Sequence, residues 1–155
     1  MDAKIVLFGH PNVGKSVLFN QLTGLTAVVS NYPGTTVEVY EGEARIEGLR
    51  LRILDAPGAY SLLATNEAED VARRLLLEGK PDVVVQVADA TSFRRHLYLT
   101  LELMELGLPL ILVLNQVDRA EKAGMEIDKG ELERVLGIPV VLTAAVEGRG
   151  IGELL

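Results

Sequence analysis

Eight residues near the N-terminus constrain this chain more than any others: Gly9-His10-Pro11-Asn12-Val13-Gly14-Lys15-Ser16, the pattern G-x-x-x-x-G-K-S. An apolar run precedes them at 4–8 (KIVLF). Helical spacing follows at 15–23, where Val17, Leu18, Phe19 and Leu22 recur before Gly24. The pattern carries physical meaning when it lies between a strand and a helix. Gly9 and Gly14 let the backbone turn tightly, so successive N–H groups point inward at an anion. The helix adds its positive N-terminal end. The Lys15 ammonium can reach outer phosphates, and the Ser16 hydroxyl can ligate Mg²⁺. His10, Pro11, Val13 and Val17 complete the segment expected around the phosphates.

The remaining patterns supply a sheet for that unit. Strands are expected at 36–46, 49–54, 82–88, 108–114 and 139–143, and helices at 67–78, 93–106 and 129–136. The segments 36–46 and 49–54 alternate in and out around Glu47-Gly48, as an antiparallel hairpin does. The expectation is therefore an α/β fold: a mostly parallel six-stranded sheet, one strand antiparallel, with helices on both faces. At 155 residues the chain is one domain. Gly150 and the five residues after it (GIGELL) read as the first turn of one more helix. The final helix is thus expected to be truncated, and the chain to be an N-terminal fragment of a longer protein.

Composition excludes several function classes. The net charge is −7, so no basic excess exists to follow a nucleic-acid backbone. There are no cysteines, hence no disulfides, thiolate metal sites or cysteine nucleophiles. The apolar runs, such as 109–114, fall far short of the roughly 20 residues a membrane span needs.

Further motifs occupy the predicted strand ends. The strand at 49–54 runs into Asp55-Ala56-Pro57-Gly58. A carboxylate there can hold Mg²⁺, and Gly58 has no side chain to keep its N–H from a γ-phosphate. Between the phosphate loop and Asp55 lies NYPGTT, in which Thr36 is the expected second hydroxyl for Mg²⁺ and Thr35 the alternative. Asn115-Gln116-Val117-Asp118 follows the strand at 108–114. Asp118 can accept from both guanine N1–H and the 2-amino group, a donor pair adenine lacks, so GTP is selected over ATP. Asn115 would brace the loop and touch the base edge. The Gln116 stem can lie over the purine ring. Thr143-Ala144-Ala145 follows the last strand, where the Ala145 N–H would meet guanine O6.

All five signature motifs of a guanine-nucleotide-binding (G) domain, a P-loop GTPase fold of Ras-like type, thus stand in order. The pieces NYPGTTVEVYEG, DAPGAYSL and TSFRRHLYLTLELMELGLPLILVLNQVD closely resemble the cytosolic G domain of the bacterial ferrous-iron transport protein B (FeoB) family. The resemblance implies a GTP-hydrolysing domain at the cytoplasmic face of the bacterial inner membrane. It also implies, as partners, a helical regulatory domain and a transmembrane Fe²⁺ transport domain of the parent chain, through which the protein could oligomerise. A soluble GTPase of ribosome assembly or tRNA modification is the rival reading, and the acidic balance argues against it.

The water-orienting glutamine that follows D-x-x-G in Ras-like proteins is replaced by Ala59. In several relatives that share Asn12, this residue helps to hold a K⁺ beside the phosphates, which would do the electrostatic work of an arginine finger; the alternative is that Asn12 merely caps the loop. Catalysis is therefore assigned to Lys15, Asn12, Thr36 and Gly58, with slow turnover on the order of 10⁻⁴ s⁻¹. His10 and His96 read as isolated, Arg94 and Arg95 as solvated or facing a neighbouring domain, and Glu67, Glu69 and Asp70 as an acidic first turn of a helix, with a contact to the helical domain as the weaker option.

Overall fold

The computed structural model describes residues 2–24 and 27–150. The strands are β1 (Asp2–Phe8), β2 (Val28–Asn31), β3 (Glu38–Ile46), β4 (Leu49–Asp55), β5 (Val83–Asp89), β6 (Leu110–Asn115) and β7 (Val140–Leu142). The helices are α1 (Lys15–Thr23), α2 (Glu67–Leu77), α3 (Leu97–Glu105), α4 (Val117–Lys122) and α5 (Lys129–Leu136). One sheet runs in the order β2-β3-β4-β1-β5-β6-β7. Pairs β4–β1, β1–β5, β5–β6 and β6–β7 are parallel, while β3 is antiparallel to both neighbours.

Alternation along the strands sorts the core onto two faces. Val6 and Phe8 of β1 pack with Val71, Leu75 and Leu76 of α2 and with Leu99 and Leu103 of α3. Leu7, between them, packs with Leu18, Phe19 and Leu22 of α1. Leu112 and Leu114 of β6 meet Val117 and Ala120 of α4 and Leu132 and Leu136 of α5. Helices therefore cover both faces. The α1 face keeps an apolar groove of about 390 Å³ lined by Ile5, Leu22, Leu49, Leu51, Val83 and Ile111.

Three departures from the sequence expectations have physical causes. The sheet has seven strands, not six, because β2 joins its edge. All four β2 residues are exposed, so no in–out alternation marks the strand, and it exists through its ladder to β3. The helix expected over 93–106 is two pieces. Asp89 accepts from the Thr91 N–H (2.8 Å) and hydroxyl (2.6 Å) and caps a tight 3₁₀ segment, Ala90–Arg95. Ser92 breaks that segment with extended φ, and α3 starts afresh after His96. Helix α4, which the sequence reading left out, begins directly from the left-handed Gln116 (φ 64). The truncated last helix falls at 151–155, outside the described residues.

Parallel registers bring the motifs together. Leu7 stands opposite Asp55, Asp89 opposite Asn115, and Leu114 opposite Leu142. The phosphate loop, Asp55, Asn115 and Thr143 therefore all emerge at the carboxyl ends of neighbouring strands, where open α/β sheets place ligands.

Candidate nucleotide-binding site

Between β1 and α1 the loop folds around a cavity of about 360 Å³, lined by His10, Asn12, Lys15, Ser16, Val17 and Gly58, with Pro11 and Gly14. Asn12 (φ 65) and Gly14 (φ 85) hold left-handed conformations that turn the chain inward. Helix α1 starts without any side-chain cap on Gly14, so its first N–H groups stay available to an anion. Val13 is buried among the α1 and sheet side chains and anchors the loop.

The next motif is fastened to this loop by backbone. The Ala56 N–H donates to Leu7 O (3.1 Å) and the Ala59 N–H to Gly9 O (2.9 Å). A Cβ on Gly58 would stand 2.8 Å from Pro11 Cγ, so only glycine fits between Pro57 and Ala59. Ala59 itself is fully buried. It faces the core, and its side chain has no access to the phosphate cavity.

Lys15 forms an ion pair with Asp55 and donates to the Ala56 carbonyl at 2.6 Å. Asp55 is almost wholly buried. That burial pushes its carboxyl above the usual range, opposed by the Lys15 charge and by a hydrogen bond from the Ser16 hydroxyl. A hydroxyl and a carboxylate side by side are hard oxygen donors. They suit Mg²⁺ and fit the expected ligand pair Ser16 and Asp55.

The NYPGTT segment distinguishes its two threonines. The Thr35 hydroxyl donates to Tyr32 O (2.9 Å) and accepts from the Val37 N–H (3.1 Å), which commits it to the turn. Thr36 is exposed, and only its backbone N–H is held, by Glu67 of α2 at 3.3 Å. The Tyr32 hydroxyl donates to Glu78 at 3.2 Å. In this structure the segment thus rests on α2.

Asn115 is the centre of the base-side loops. It is nearly inaccessible. Its amide donates to Val13 O (3.0 Å), while its carbonyl accepts from the Thr143 hydroxyl (2.9 Å) and the Ala145 N–H (3.0 Å). One side chain therefore ties the phosphate loop, the β6–α4 turn and the loop after β7 together. Asn115 braces these loops, and its amide keeps a second N–H beyond the one given to Val13 O. The Ala145 N–H, expected to face guanine O6, is taken by Asn115 because a buried donor needs a partner. Gln116 at the N-cap of α4 and Asp118 in its first turn flank this knot, both part-exposed, and Ala144 is buried.

Two readings of single residues need correction. His10 and His96 are not isolated. Their rings lie 4.3 Å apart between centroids, and Tyr60 lies 5.0 Å from His10 on a tilted plane. Nor is Glu69 merely a dipole-compensating acid. It is buried and accepts from the Tyr60 N–H (2.9 Å), the Thr65 N–H (3.1 Å) and the Thr65 hydroxyl (2.6 Å). These hydrogen bonds hold its carboxyl below the usual value. From α3, Glu102 likewise accepts from the Ser61 hydroxyl (2.9 Å) and the Leu62 N–H (3.2 Å). The Glu69 contact to Thr65 is local and goes with the Asn66 cap of α2, whereas the Glu102 clasp joins residues 40 and 41 positions apart and has no local signal. Arg94 and Arg95 are exposed, as expected.

Comparison with known proteins matches this geometry. The family model described as "Ferrous iron transport protein B" covers residues 3–155. The Fe(2+) transporter FeoB of Salmonella typhimurium is 44% identical over 154 residues, covering 97% of this chain but only 20% of the relative's length. The cytosolic domain of the T. maritima FeoB iron transporter superposes with a TM-score of 0.96 in a GDP form (45% identity, 99% of this chain, 61% of that one). In a GMPPNP form it superposes with a TM-score of 0.95 (46% identity, 98% and 60%). The FeoB G domain of Methanococcus jannaschii gives a TM-score of 0.87 at 44% identity, covering 99% of this chain and 92% of that domain. The fold is thus the P-loop GTPase fold of FeoB G domains. With its glycine loop, its Asp55 and its Asn115 knot set at the same sheet edge, the chain belongs to the ferrous iron transport protein B family.

Proposed function

We propose that this chain binds GTP with Mg²⁺, hydrolyses it to GDP and phosphate, and so regulates or drives ferrous-iron uptake by a membrane transporter. The observation that carries the reading is the gathering of Lys15, Ser16, Asp55 and the Asn115–Asp118 turn at one sheet edge. The GDP and GMPPNP forms of the T. maritima relative support guanine nucleotide as the ligand.

Each residue then has a chemical task. The turned backbone from Gly9 to Gly14 and the α1 N-terminus surround the phosphates. Lys15 leaves Asp55 for the outer phosphates and neutralises charge that builds up during transfer to water. Ser16, Asp55 and Thr36 would hold Mg²⁺, which when bound shields the phosphate oxygens. Thr36 can take this role because Thr35 already closes its own turn. The Gly58 N–H serves the γ-phosphate. Asp118 accepts from guanine, and Gln116 lies over the ring. Asn12, exposed at the crest of the loop, offers an amide oxygen for K⁺, whose charge would replace that of an arginine finger. With Ala59 facing the core, no side chain at that position orients water, and turnover is slow.

The chain spans 20% of the length of the Salmonella transporter. Among the described residues no helix is long and apolar enough to cross a membrane. We therefore assign iron passage, the helical regulatory domain and any oligomerisation to the remainder of the parent protein. The domain itself belongs at the cytoplasmic face of the bacterial inner membrane.

Phosphate release from GTP with Mg²⁺ tests the reading. It should be measurable, several-fold faster in K⁺ than in Na⁺, and lost in Lys15→Ala. Asp118→Asn should lose GDP affinity by about a hundred-fold and gain xanthosine diphosphate, because the amide offers a donor to the 2-carbonyl. Unchanged GDP and ATP preference in that variant would refute guanine reading by Asp118. Equal rates in K⁺ and Na⁺ would refute the K⁺ assignment.

A further inference from the structure

One carboxylate on α3 holds the run that follows Gly58, and nothing in the mechanism above uses it. The Ser61 hydroxyl donates to Glu102, 2.9 Å from Oε1 and 3.1 Å from Oε2, and the Leu62 N–H donates to Oε1 at 3.2 Å. Ser61 Oγ in turn accepts from the Leu63 N–H at 3.0 Å. Three consecutive residues are thus wrapped around one side chain of another element. Glu102 itself is in no position to follow them if they move. Its neighbours on α3, Leu99 and Leu103, are buried in the cluster that holds Val6 and Phe8 of β1. Thr100, fully buried as well, donates from its hydroxyl to Gln86 of β5 at 2.7 Å. Helix α3 is therefore seated on the sheet, and Glu102 presents its acceptors from a fixed place.

The run between Gly58 and α2 needs such an anchor. Tyr60 and Leu63 are 59% and 70% exposed, and of its larger apolar side chains only Leu62 packs on the core. Polar contacts set its course instead. The Ala59 N–H is bonded to Gly9 O, the Tyr60 N–H to Glu69, and Ser61 and Leu62 to Glu102. Gly58 stands immediately before these contacts. It lines the phosphate cavity, so close to Pro11 that no Cβ fits. The arrangement that Glu102 fixes is thus one in which Gly58 already faces the place of the phosphates.

We propose that Glu102 is a positioning residue for the γ-phosphate: it pins Ser61 and Leu62 to α3 and so keeps Gly58 against the phosphate loop. The proposal rests on the GTPase reading and deepens it. Hydrogen bonds to an ionised acceptor are the stronger kind. Without them the exposed run from Tyr60 to Leu63 is held by few buried contacts, the condition for local opening. In the opened states Gly58 leaves the cavity wall. The penalty falls on the triphosphate alone, because GDP has no γ-phosphate for the Gly58 N–H. The glycine loop and the α1 N-terminus, which meet the other phosphates, are built without Glu102.

The test compares GDP with GMPPNP, a GTP analogue that resists hydrolysis, in the wild type, Glu102→Ala, Glu102→Gln and Ser61→Ala. Affinities and single-turnover GTP hydrolysis are measured with Mg²⁺. Glu102→Ala should lose about five-fold in GMPPNP affinity and in hydrolysis, the equivalent of ~1 kcal/mol, with GDP affinity changed less than about two-fold. A defect in the fold alone would weaken both nucleotides together. Glu102→Gln should restore GMPPNP affinity, because its amide oxygen still accepts from Leu62 and its N–H can donate to Ser61 Oγ. Amide exchange at Leu62 and Leu63 reads the clasp without nucleotide; it should quicken in Glu102→Ala and not in Glu102→Gln. Equal losses for GDP and GMPPNP, no loss for either, or unchanged exchange in Glu102→Ala overturns the proposal. If Glu102→Ala does not fold, Ser61→Ala, which removes the partner on the loop, carries the same expectations. A wild type that binds GMPPNP but releases no phosphate from GTP refutes hydrolysis, and the affinities then decide the role of Glu102. A wild type that binds neither nucleotide refutes the GTPase reading and the proposal together.

Discussion

Replacing Asn115 with alanine should cost this domain more than any other single change outside the hydrophobic core. The side chain supplies three hydrogen bonds, to Val13 O, the Thr143 hydroxyl and the Ala145 N–H, at 2.9 to 3.0 Å. All three partner residues are at most 2% exposed, so they cannot turn to bulk water. Each buried group left without a partner costs ~1–3 kcal/mol. Water entering the space left by the amide would recover part of that. The net loss should be about 3–5 kcal/mol, a large share of the ~5–15 kcal/mol that holds a domain of this size. Thr143→Val removes a single arm and should cost ~1 kcal/mol. The double variant should cost less than the sum, because the arms share one acceptor atom. Equilibrium urea unfolding followed by circular dichroism measures all three. GDP should also raise the unfolding midpoint less in Asn115→Ala, since weaker binding gives less stabilisation by mass action. A loss below ~1 kcal/mol, or strict additivity with Thr143→Val, would refute the three-way tie.

Other consequences follow from the same geometry. The folded pKa of His96, about 4, lies below its unfolded value of 6.5. The unfolded state therefore binds more protons between the two. The contribution is complete above about pH 6.5 and is lost as pH falls towards 4, on the order of 3 kcal/mol. Subtracting the stability profile of His96→Gln from that of the wild type should isolate it, and parallel profiles would count against a buried neutral His96. Asp55 has the opposite sign: its folded pKa is raised, so its contribution is full below about pH 4 and declines as pH rises through the folded value. Lys15→Met removes the charge that restrains this shift. It should steepen the decline by about 3 kcal/mol or more in nucleotide-free protein, measured by thermal melts across pH. Thr36→Ala should weaken Mg²⁺-dependent GTP affinity and leave GDP affinity nearly unchanged. Thr35→Ala should instead cost ~1 kcal/mol of stability through its turn; the reverse pattern would exchange their roles.

Much of this could be read from the chain itself. A strand, a glycine turn and a helix in succession specify the phosphate loop, because the backbone demands are local: left-handed Asn12 and Gly14, and an uncapped α1. Apolar runs, and alternation in the hairpin, located six of the seven strands, and α1 and α5 matched their expected bounds. Strand β2 escaped because a fully exposed edge strand has no apolar face to announce it. The break before α3 escaped because Asp89 and Thr91 close it through side chains, against a leucine-rich pattern that reads as one helix.

The sequence alone determined which groups we assign to a nucleotide and in what order along the chain, since each motif is a short run whose chemistry lies within a few residues. Tertiary structure alone decided how those runs are held. The Asn115 knot, the Lys15–Asp55 pair, the Glu102 clasp and the His10–His96 ring contact all join residues far apart in sequence. They meet because parallel strand registers bring loop ends together and because buried polar groups must find partners there. Neither condition leaves a trace in local spacing.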